Sequence, residues 1–186
     1  KANPPCWQHG RVLYSALRAY CDGLQTGTPL SVVDIGTAKG FSAIVMARAL
    51  EDAGHFGDVV SIDVLDPQAR VRRNTIAEID GLRTLYEVVA PWMESRRVKF
   101  VCAKAENWLM MNRERMHFAF VDGKHSYAAV KKELGYLAQC QESGDVVVCD
   151  DLQIPGVSKA IYEQSGYEKI EIYAHSDRGY VVMEKK

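Results

Sequence analysis

Val32-Val33-Asp34-Ile35-Gly36-Thr37-Ala38-Lys39-Gly40-Phe41-Ser42-Ala43-Ile44 reads as a buried strand ending at a turn, followed by the start of a helix. The β-branched residues before the glycine fit an inner parallel strand. Gly36 and Gly40 free the backbone for a tight turn and for close approach of a ligand. Ser42 can exchange hydrogen bonds with groups near the opening of the helix, which the pattern carries from Phe41 to Ala53. A strand-turn-helix unit of this kind places a ligand at the carboxyl ends of the strands, where a doubly wound sheet opens.

The same alternation continues outward in both directions. Ahead of the motif, Val12, Leu13, Leu17 and Tyr20 recur at helical spacing within Trp7 to Leu24, and Gln25 to Pro29 is a polar turn. Behind it, Val59 to Asp63 reads as a second buried strand ending in an acid. Ala69 to about Glu94 has a helical pattern with breaks near Gly81 and Pro91. Val98 to Cys102 is the third strand, Phe118 to Asp122 the fourth, and Val146 to Asp151 the fifth. Helices are expected over Ser126 to Gln141 and Val157 to Gln164. The tail offers two further strands, Lys169 to Tyr173 and Gly179 to Glu184, joined by the polar turn His175-Ser176-Asp177-Arg178. The pattern describes one α/β sandwich, with a mostly parallel sheet and a C-terminal antiparallel hairpin. Residues 1–30 are read as an N-terminal helical segment and 31–186 as the domain that carries the motif. The tail's edge strands could pair with a second copy, which makes a homodimer an expectation.

Composition narrows the function. The chain has 186 residues, 47% hydrophobic and 25% charged, as a soluble globular domain should. A formal net charge of −1, with both signs mixed along the chain, gives no electrostatic footprint for nucleic acid. No apolar run is long enough to span a bilayer and no signal-peptide pattern opens the sequence, although residue 1 need not be the natural start. Five cysteines without a C-x-x-C pair point to a reducing, cytoplasmic setting, with Cys102 and Cys149 read as small buried hydrophobes.

Two sets of acids carry the chemistry. Asp63 follows the glycine turn by about twenty residues, where dinucleotide folds place a ribose-binding carboxylate; the alternative is a cap at a strand end. Asp122, Asp150 and Asp151 end two strands that should run parallel, so they should converge on the edge that holds Gly36 and Asp63. Clustered carboxylates repel unless protons or a cation neutralise them, and an all-oxygen set favours a hard cation such as Mg2+. Singly, each acid would more often cap a helix or turn.

The Gly-x-x-x-Gly spacing with an acid two residues ahead resembles motif I of class I S-adenosylmethionine (SAM) methyltransferases. Gly40-Phe41-Ser42-Ala43 with Met46-Ala47-Arg48 resembles the catechol O-methyltransferase-like branch. So do Asp122-Gly123-Lys124-His125-Ser126-Tyr127 and Cys149-Asp150-Asp151-Leu152-Gln153-Ile154-Pro155-Gly156, the latter two as the metal-holding segments. The likeness covers about Val32 to Ile161 and implies a Rossmann-like class I methyltransferase fold. It implies methyl transfer from SAM to a hydroxyl of a small molecule, with Mg2+ on Asp122, Asp150 and Asp151. It also implies SAM contacts from Asp34, Gly36, Thr37, Gly40, Ser42, Asp63 and Asp122, with the turn Ala105-Glu106 beside the adenine. Trp108 could lie against that ring or in the core.

Better-known members of the resembled branch carry a lysine three residues past the strand-four acid. Here that position is His125, with Lys124 beside it. Histidine can take a proton near neutrality, so His125, or else Lys124, is expected to be the base beside Asp122. A backbone hydrogen bond at the helix start is the plainer role for His125. An NAD enzyme would want Gly-x-Gly-x-x-Gly. A nucleic-acid amino-methyltransferase would want an Asn/Asp-Pro-Pro-aromatic motif after strand four, whereas Asn3-Pro4-Pro5 lies at the wrong end and precedes Cys6. A non-catalytic SAM-binding module, or a methyltransferase for another acceptor, stays open at this level.

Overall fold

The computed structural model describes residues 6–72, 81–93, 97–173 and 178–186. In chain order the elements are α1 (Trp7–Asp22), β1 (Pro29–Ile35), α2 (Phe41–Asp52), β2 (Phe56–Asp63), β3 (Val71–Arg72), β4 (Leu82–Arg83) and α3 (Leu85–Val89). They continue with β5 (Val98–Cys102), α4 (Ala105–Met111), β6 (Phe118–Val121), α5 (Tyr127–Cys140) and β7 (Val146–Cys149). The chain finishes with α6 (Pro155–Tyr162), β8 (Tyr167–Tyr173) and β9 (Gly179–Lys185).

Among the described residues seven strands form one sheet in the order β5-β2-β1-β6-β7-β9-β8. Neighbours from β5 through β7 are parallel, while β9 is antiparallel to both β7 and β8. The mostly parallel sheet with a closing hairpin is the α/β architecture expected from the sequence. Both faces are covered, which is why the inner strands are mostly apolar, with Asp34 and Ser61 as buried exceptions. Alternate residues of β1 go to opposite layers. Val33 and Ile35 pack with Leu134, Leu137 and Ala160 of α5 and α6. Val32 packs with Leu13, Leu17, Met46 and Leu50 of α1 and α2. The buried face of α1 is spaced as an amphipathic helix requires.

Of the helix expected from Ala69 to Glu94 with breaks near Gly81 and Pro91, the described residues keep α3, between those breaks, while Val71 and Arg72 are strand. Asp66 accepts the Gln68 N–H through its side chain at 2.8 Å, making a local turn in place of a helix start. Val71 and Arg72 then pair antiparallel with Leu82 and Arg83. After Gly81, α3 starts at the Thr84 cap, whose hydroxyl accepts from Glu87 N–H at 3.1 Å while Glu87 accepts from Thr84 N–H at 2.8 Å. Residues 73–80 and 94–96 of that stretch, and the turn residues 174–177, lie outside the described residues. Two smaller readings also change. Cys102 is exposed rather than buried, and the segment after β5 is helix α4 rather than a turn alone. No described helix is long and apolar enough to cross a membrane.

The two glycines of the motif have separate jobs. Gly36, at φ +102°, lies so close to the end of β6 that a Cβ would sit 2.3 Å from the Asp122 carbonyl oxygen. Gly40, at φ +78°, starts α2 beneath α3, where a Cβ would sit 2.7 Å from a Val89 methyl. Gly144 also has a positive φ, +90°, but nothing lies within 4 Å of its missing Cβ. Gly144→Ala should therefore lose only the left-handed strain, about 1–2 kcal/mol. Gly36→Ala should lose clearly more, because a backbone carbonyl must also move. Urea midpoints of the two variants check this, and equal losses would show that the β1–β6 contact yields freely.

Candidate active site

The carboxyl ends of β1, β2, β5, β6 and β7 open into a cleft of about 990 Å3. Its floor is Gly36 and the Asp122-Gly123 turn, one wall is Asp63 with the Ala103–Glu106 segment, and α5 supplies the other. Strand order reverses between β1 and β6, so the cleft stands at the switch point where such sheets bind ligands.

Asp63 ends β2 at the cleft. Its Oδ2 accepts the Ala38 N–H at 2.9 Å and its Oδ1 the Leu65 N–H at 3.0 Å. Each oxygen keeps a lone pair for a ligand hydroxyl. Ala38 is held at φ +45°, an uncommon state for alanine, in the turn that Asp63 binds. Ala105 and Glu106 also line the cleft, and Glu106 pairs with Lys132 of α5 at 3.2 Å. Trp108 packs against the core beside α5.

Three of the residues expected at the cofactor are instead buried behind its turn. Asp34 is fully buried, and its Oδ2 accepts from Ser42 Oγ at 2.9 Å and Ser61 Oγ at 2.6 Å. Thr37 Oγ1 and Ser61 Oγ share a hydrogen bond of 2.7 Å. Burial raises the Asp34 pKa to about 6, against the two serine hydroxyls, which favour the ionised form. Gly40 sits under Val89, away from the cleft lining.

At the other end the strand-end acids do converge. Asp150 is wholly buried and accepts four hydrogen bonds. Oδ1 takes Arg178 Nε at 2.8 Å and the Asp151 N–H at 2.6 Å. Oδ2 takes the Arg178 Nη2 and His9 Nδ1, the latter at 3.1 Å. Burial would raise its pKa, but the bonds from His9 and Arg178 outweigh burial and hold it below the usual aspartate value. Asp122 faces the cleft with Arg178 Nη2 at 3.7 Å. Burial, with Asp150 nearby, pushes its pKa up to about 8.

Asp151, in the left-handed region at φ +58°, pairs through Oδ2 with His125 Nδ1 and through Oδ1 with Gln153 Nε2 at 2.7 Å. His125 is 44% exposed at the cleft mouth, next to Lys124. The carboxylate engages Nδ1 and leaves Nε2 outside that pair, as in an oriented general base.

A Mg2+ ion on Asp122, Asp150 and Asp151 would need a free lone pair from each at about 2.1 Å. A carboxylate has about four such positions, and those of Asp150 are all taken. The three-acid set does not fit the ion in this arrangement. Among the described residues two further clusters stand here, His9-Asp122-Asp150 and Asp122-His125-Asp151; in the first His9 and Asp150 are already bonded to each other, and in the second His125 and Asp151 are.

Three residues of the site carried no functional signal in the sequence. Arg178 stood out only as part of a polar turn, Glu133 and His9 only as members of helices. Antiparallel pairing of β9 with β7 sets Val181 against Cys149 and so delivers Arg178 to the acids. Glu133 of α5 is 4% exposed and lines the cleft, and among the described residues its Oε2 has no hydrogen-bond partner. Burial, helped by Glu106, raises its pKa to about 7.

The methyltransferase-domain family profile matches residues 33–152. Among curated proteins no sequence matches the chain. Solved structures of similar fold include the O-methyltransferase from Bacillus cereus in complex with SAH, at TM-score 0.69 and 15% identity over 100% of this chain and 84% of that one. The O-methyltransferase TomG from Streptomyces achromogenes, involved in tomaymycin synthesis and in complex with SAM, gives 0.65 and 18% over 95% and 79%. An rRNA methylase from Streptococcus thermophilus gives 0.66 and 12% over 94% of each chain.

Glu133 makes a pH-dependent contribution that can be measured directly. In the unfolded chain it releases its proton near 4.3, in the folded chain near 7. Its stability contribution is thus complete below about pH 4 and is lost as pH rises through 7. Glu133→Gln escapes that loss. Relative to wild type it should gain on the order of 3 kcal/mol between pH 5 and pH 8, read from urea midpoints. A constant difference across that range would show that Glu133 stays ionised.

Proposed function

The chain belongs to the methyltransferase-domain family and carries the class I SAM-dependent methyltransferase fold, and from that premise we propose that it transfers a methyl group from SAM to a hydroxyl of a small molecule. The observation that carries the hydroxyl reading is the Asp151–His125 pair at the mouth of the cleft, on the same sheet edge as Asp63 and Gly36. When bound, SAM supplies an activated methyl on a sulfonium, which departs as the neutral thioether SAH. Asp63 holds the ribose hydroxyls with the lone pairs its backbone bonds leave free. Gly36 lets the donor approach the β1 turn, and the Ala105-Glu106 segment borders the adenine. Asp34, Thr37 and Ser42 act from behind, fixing that turn.

For the acceptor, His125 takes the hydroxyl proton on Nε2 while Asp151 holds Nδ1 and stabilises the imidazolium that forms. Lys124, beside it, stands as the other candidate for that proton. Asp122 borders the reacting oxygen from the floor. The rest of the work is positioning, since holding oxygen and methyl in line supplies most of what such a transfer needs. No step in this reading passes through a divalent cation. The lone pairs of Asp150 are engaged by Arg178, His9 and the Asp151 N–H, so the Mg2+ expected from the sequence has no part in it.

Two variants separate donor binding from chemistry. Calorimetry should give micromolar SAM affinity for wild type and a loss of about tenfold or more for Asp63→Ala, the scale of a lost charge-assisted hydrogen bond. His125→Ala should keep SAM affinity and lose about a hundredfold in turnover with a catechol or sugar-hydroxyl acceptor, followed by mass spectrometry of the methylated product. Unchanged affinity in Asp63→Ala would move the ribose elsewhere. Full turnover in His125→Ala would pass the base role to Lys124.

A further inference from the structure

The role assigned here to the acid cluster rests on the proposed methyl transfer to a hydroxyl. Three carboxylates at neighbouring strand ends need a counter-charge if a substrate oxygen is to become negative beside them. The guanidinium of Arg178 lies within 4.0 Å of all three. It grips Asp150 through Nε at 2.8 Å and through Nη2, it approaches Asp122 at 3.7 Å, and Nε stands 3.8 Å from Asp151.

The fold holds it there. Gly179, the next residue, donates its N–H to Gln153 Oε1 at 3.0 Å and accepts the Leu152 N–H at 3.0 Å. Gln153 in turn grips Asp151. Arg178 is therefore anchored to the same segment that presents the acids, and only 32% of its side chain is exposed. On the far side His9 of α1 occupies what remains of Asp150. A cation entering between the acids would have to break a two-bond Arg–carboxylate pair and leave a charge without its partner, a change that proteins resist strongly.

We propose that Arg178 does here the work of the divalent cation, so that the acid cluster takes no metal and methyl transfer runs without one. The guanidinium is a positioning and counter-charge residue. It keeps Asp150 and Asp151 in place, and through Asp151 the His125 base, and it offsets the negative charge that grows on the acceptor oxygen. Lysine would keep the charge but lose the two-pronged grip.

Mn2+ serves as the probe, since its spin-resonance signal reports binding whether or not the enzyme turns over. Wild type should show no saturable Mn2+ binding below the millimolar range expected for a weak carboxylate site. Its transfer to a catechol acceptor should be the same in EDTA and in millimolar Mg2+. Arg178→Ala should gain Mn2+ affinity by about tenfold or more as the carboxylates lose their counter-charge. The same variant should lose about tenfold or more in turnover, with SAM affinity within about twofold, and Arg178→Lys should fall between. One saturable sub-millimolar Mn2+ site in wild type, or activity abolished by EDTA and restored by Mg2+, would overturn the proposal. If no hydroxyl acceptor is methylated while SAM still binds, the proposed reaction fails. The wild-type Mn2+ titration then still decides whether the cluster takes a metal, even if Arg178→Ala does not fold.

Discussion

The cleft exists because two strand ends are allowed to touch. Where β1 gives way to its turn, the Gly36 backbone lies against the Asp122 carbonyl at the end of β6, closer than any side chain would permit. The Asp122 N–H donates to Ile35 O at 2.9 Å, and the Gly36 N–H donates to Ile62 O at 2.9 Å, so the contact is part of the sheet ladder. These two bonds stitch the ends of β2, β1 and β6 into one floor. The chain reaches β6 only after running outward through β2 and β5 and crossing back. That reversal is what leaves a crevice above the floor. Everything chemical in the molecule is then a matter of which side chains stand on that edge.

The buried polar groups beneath the edge divide the labour. A carboxylate as deep as Asp34 costs free energy unless it is bonded; its Oδ2 is bonded by Ser42 from α2 and Ser61 from β2, while among the described residues Oδ1 has no partner. The same two hydroxyls hold the start of α2 and the middle of β2 against β1. The turn they brace is the one whose Ala38 N–H meets Asp63. Hydrogen bonds from Asp34 through Ser61 to Thr37, and from the next residue's N–H to Asp63, thus tie the interior to the half-buried carboxylate. The buried members shape the turn and the outer member is left to face a ligand.

This division explains what could and could not be read from the sequence. Strand ends were legible because an apolar run that stops at an acid marks both an inner strand and its edge, as at Val59 to Asp63 and Val146 to Asp151. Helix α5 and the closing hairpin followed from their periods. Depth was not legible: Asp34 stands one residue before the end of β1 and Asp63 at the end of β2, yet the first is fully buried and bonded by two serines while the second faces the cleft. In the described part of Ala69 to Glu94 the helical spacing yields at Val71 and Arg72, which pair with Leu82 and Arg83, and holds between the expected breaks, where the Thr84 cap starts α3. Arg178 and His9 were illegible for a different reason. Each meets Asp150 across a long stretch of chain, through pairing of β9 with β7 and packing of α1, and no local pattern records such a meeting.

Fold alone does not choose the acceptor, since proteins named for rRNA and for hydroxyl methylation share this architecture at similar TM-scores. The charges around the cleft are more selective. A nucleic-acid substrate is drawn in by a continuous basic face that tracks phosphates. Here the cations at the rim are divided: Lys132 is paired with Glu106, Arg178 is spent on Asp150, and His125 is held by Asp151. Lys104 and Lys124 also stand at the rim, with Asp63, Asp122 and Asp151 near them. A rim of alternating sign gives little attraction to a phosphate chain, whose charges would lose water without gaining a partner. A neutral hydroxyl-bearing molecule meets no such penalty, and it finds hydrogen-bond acceptors on the floor and a histidine at the mouth. These charges are what supports the proposed hydroxyl acceptor over a polyanion.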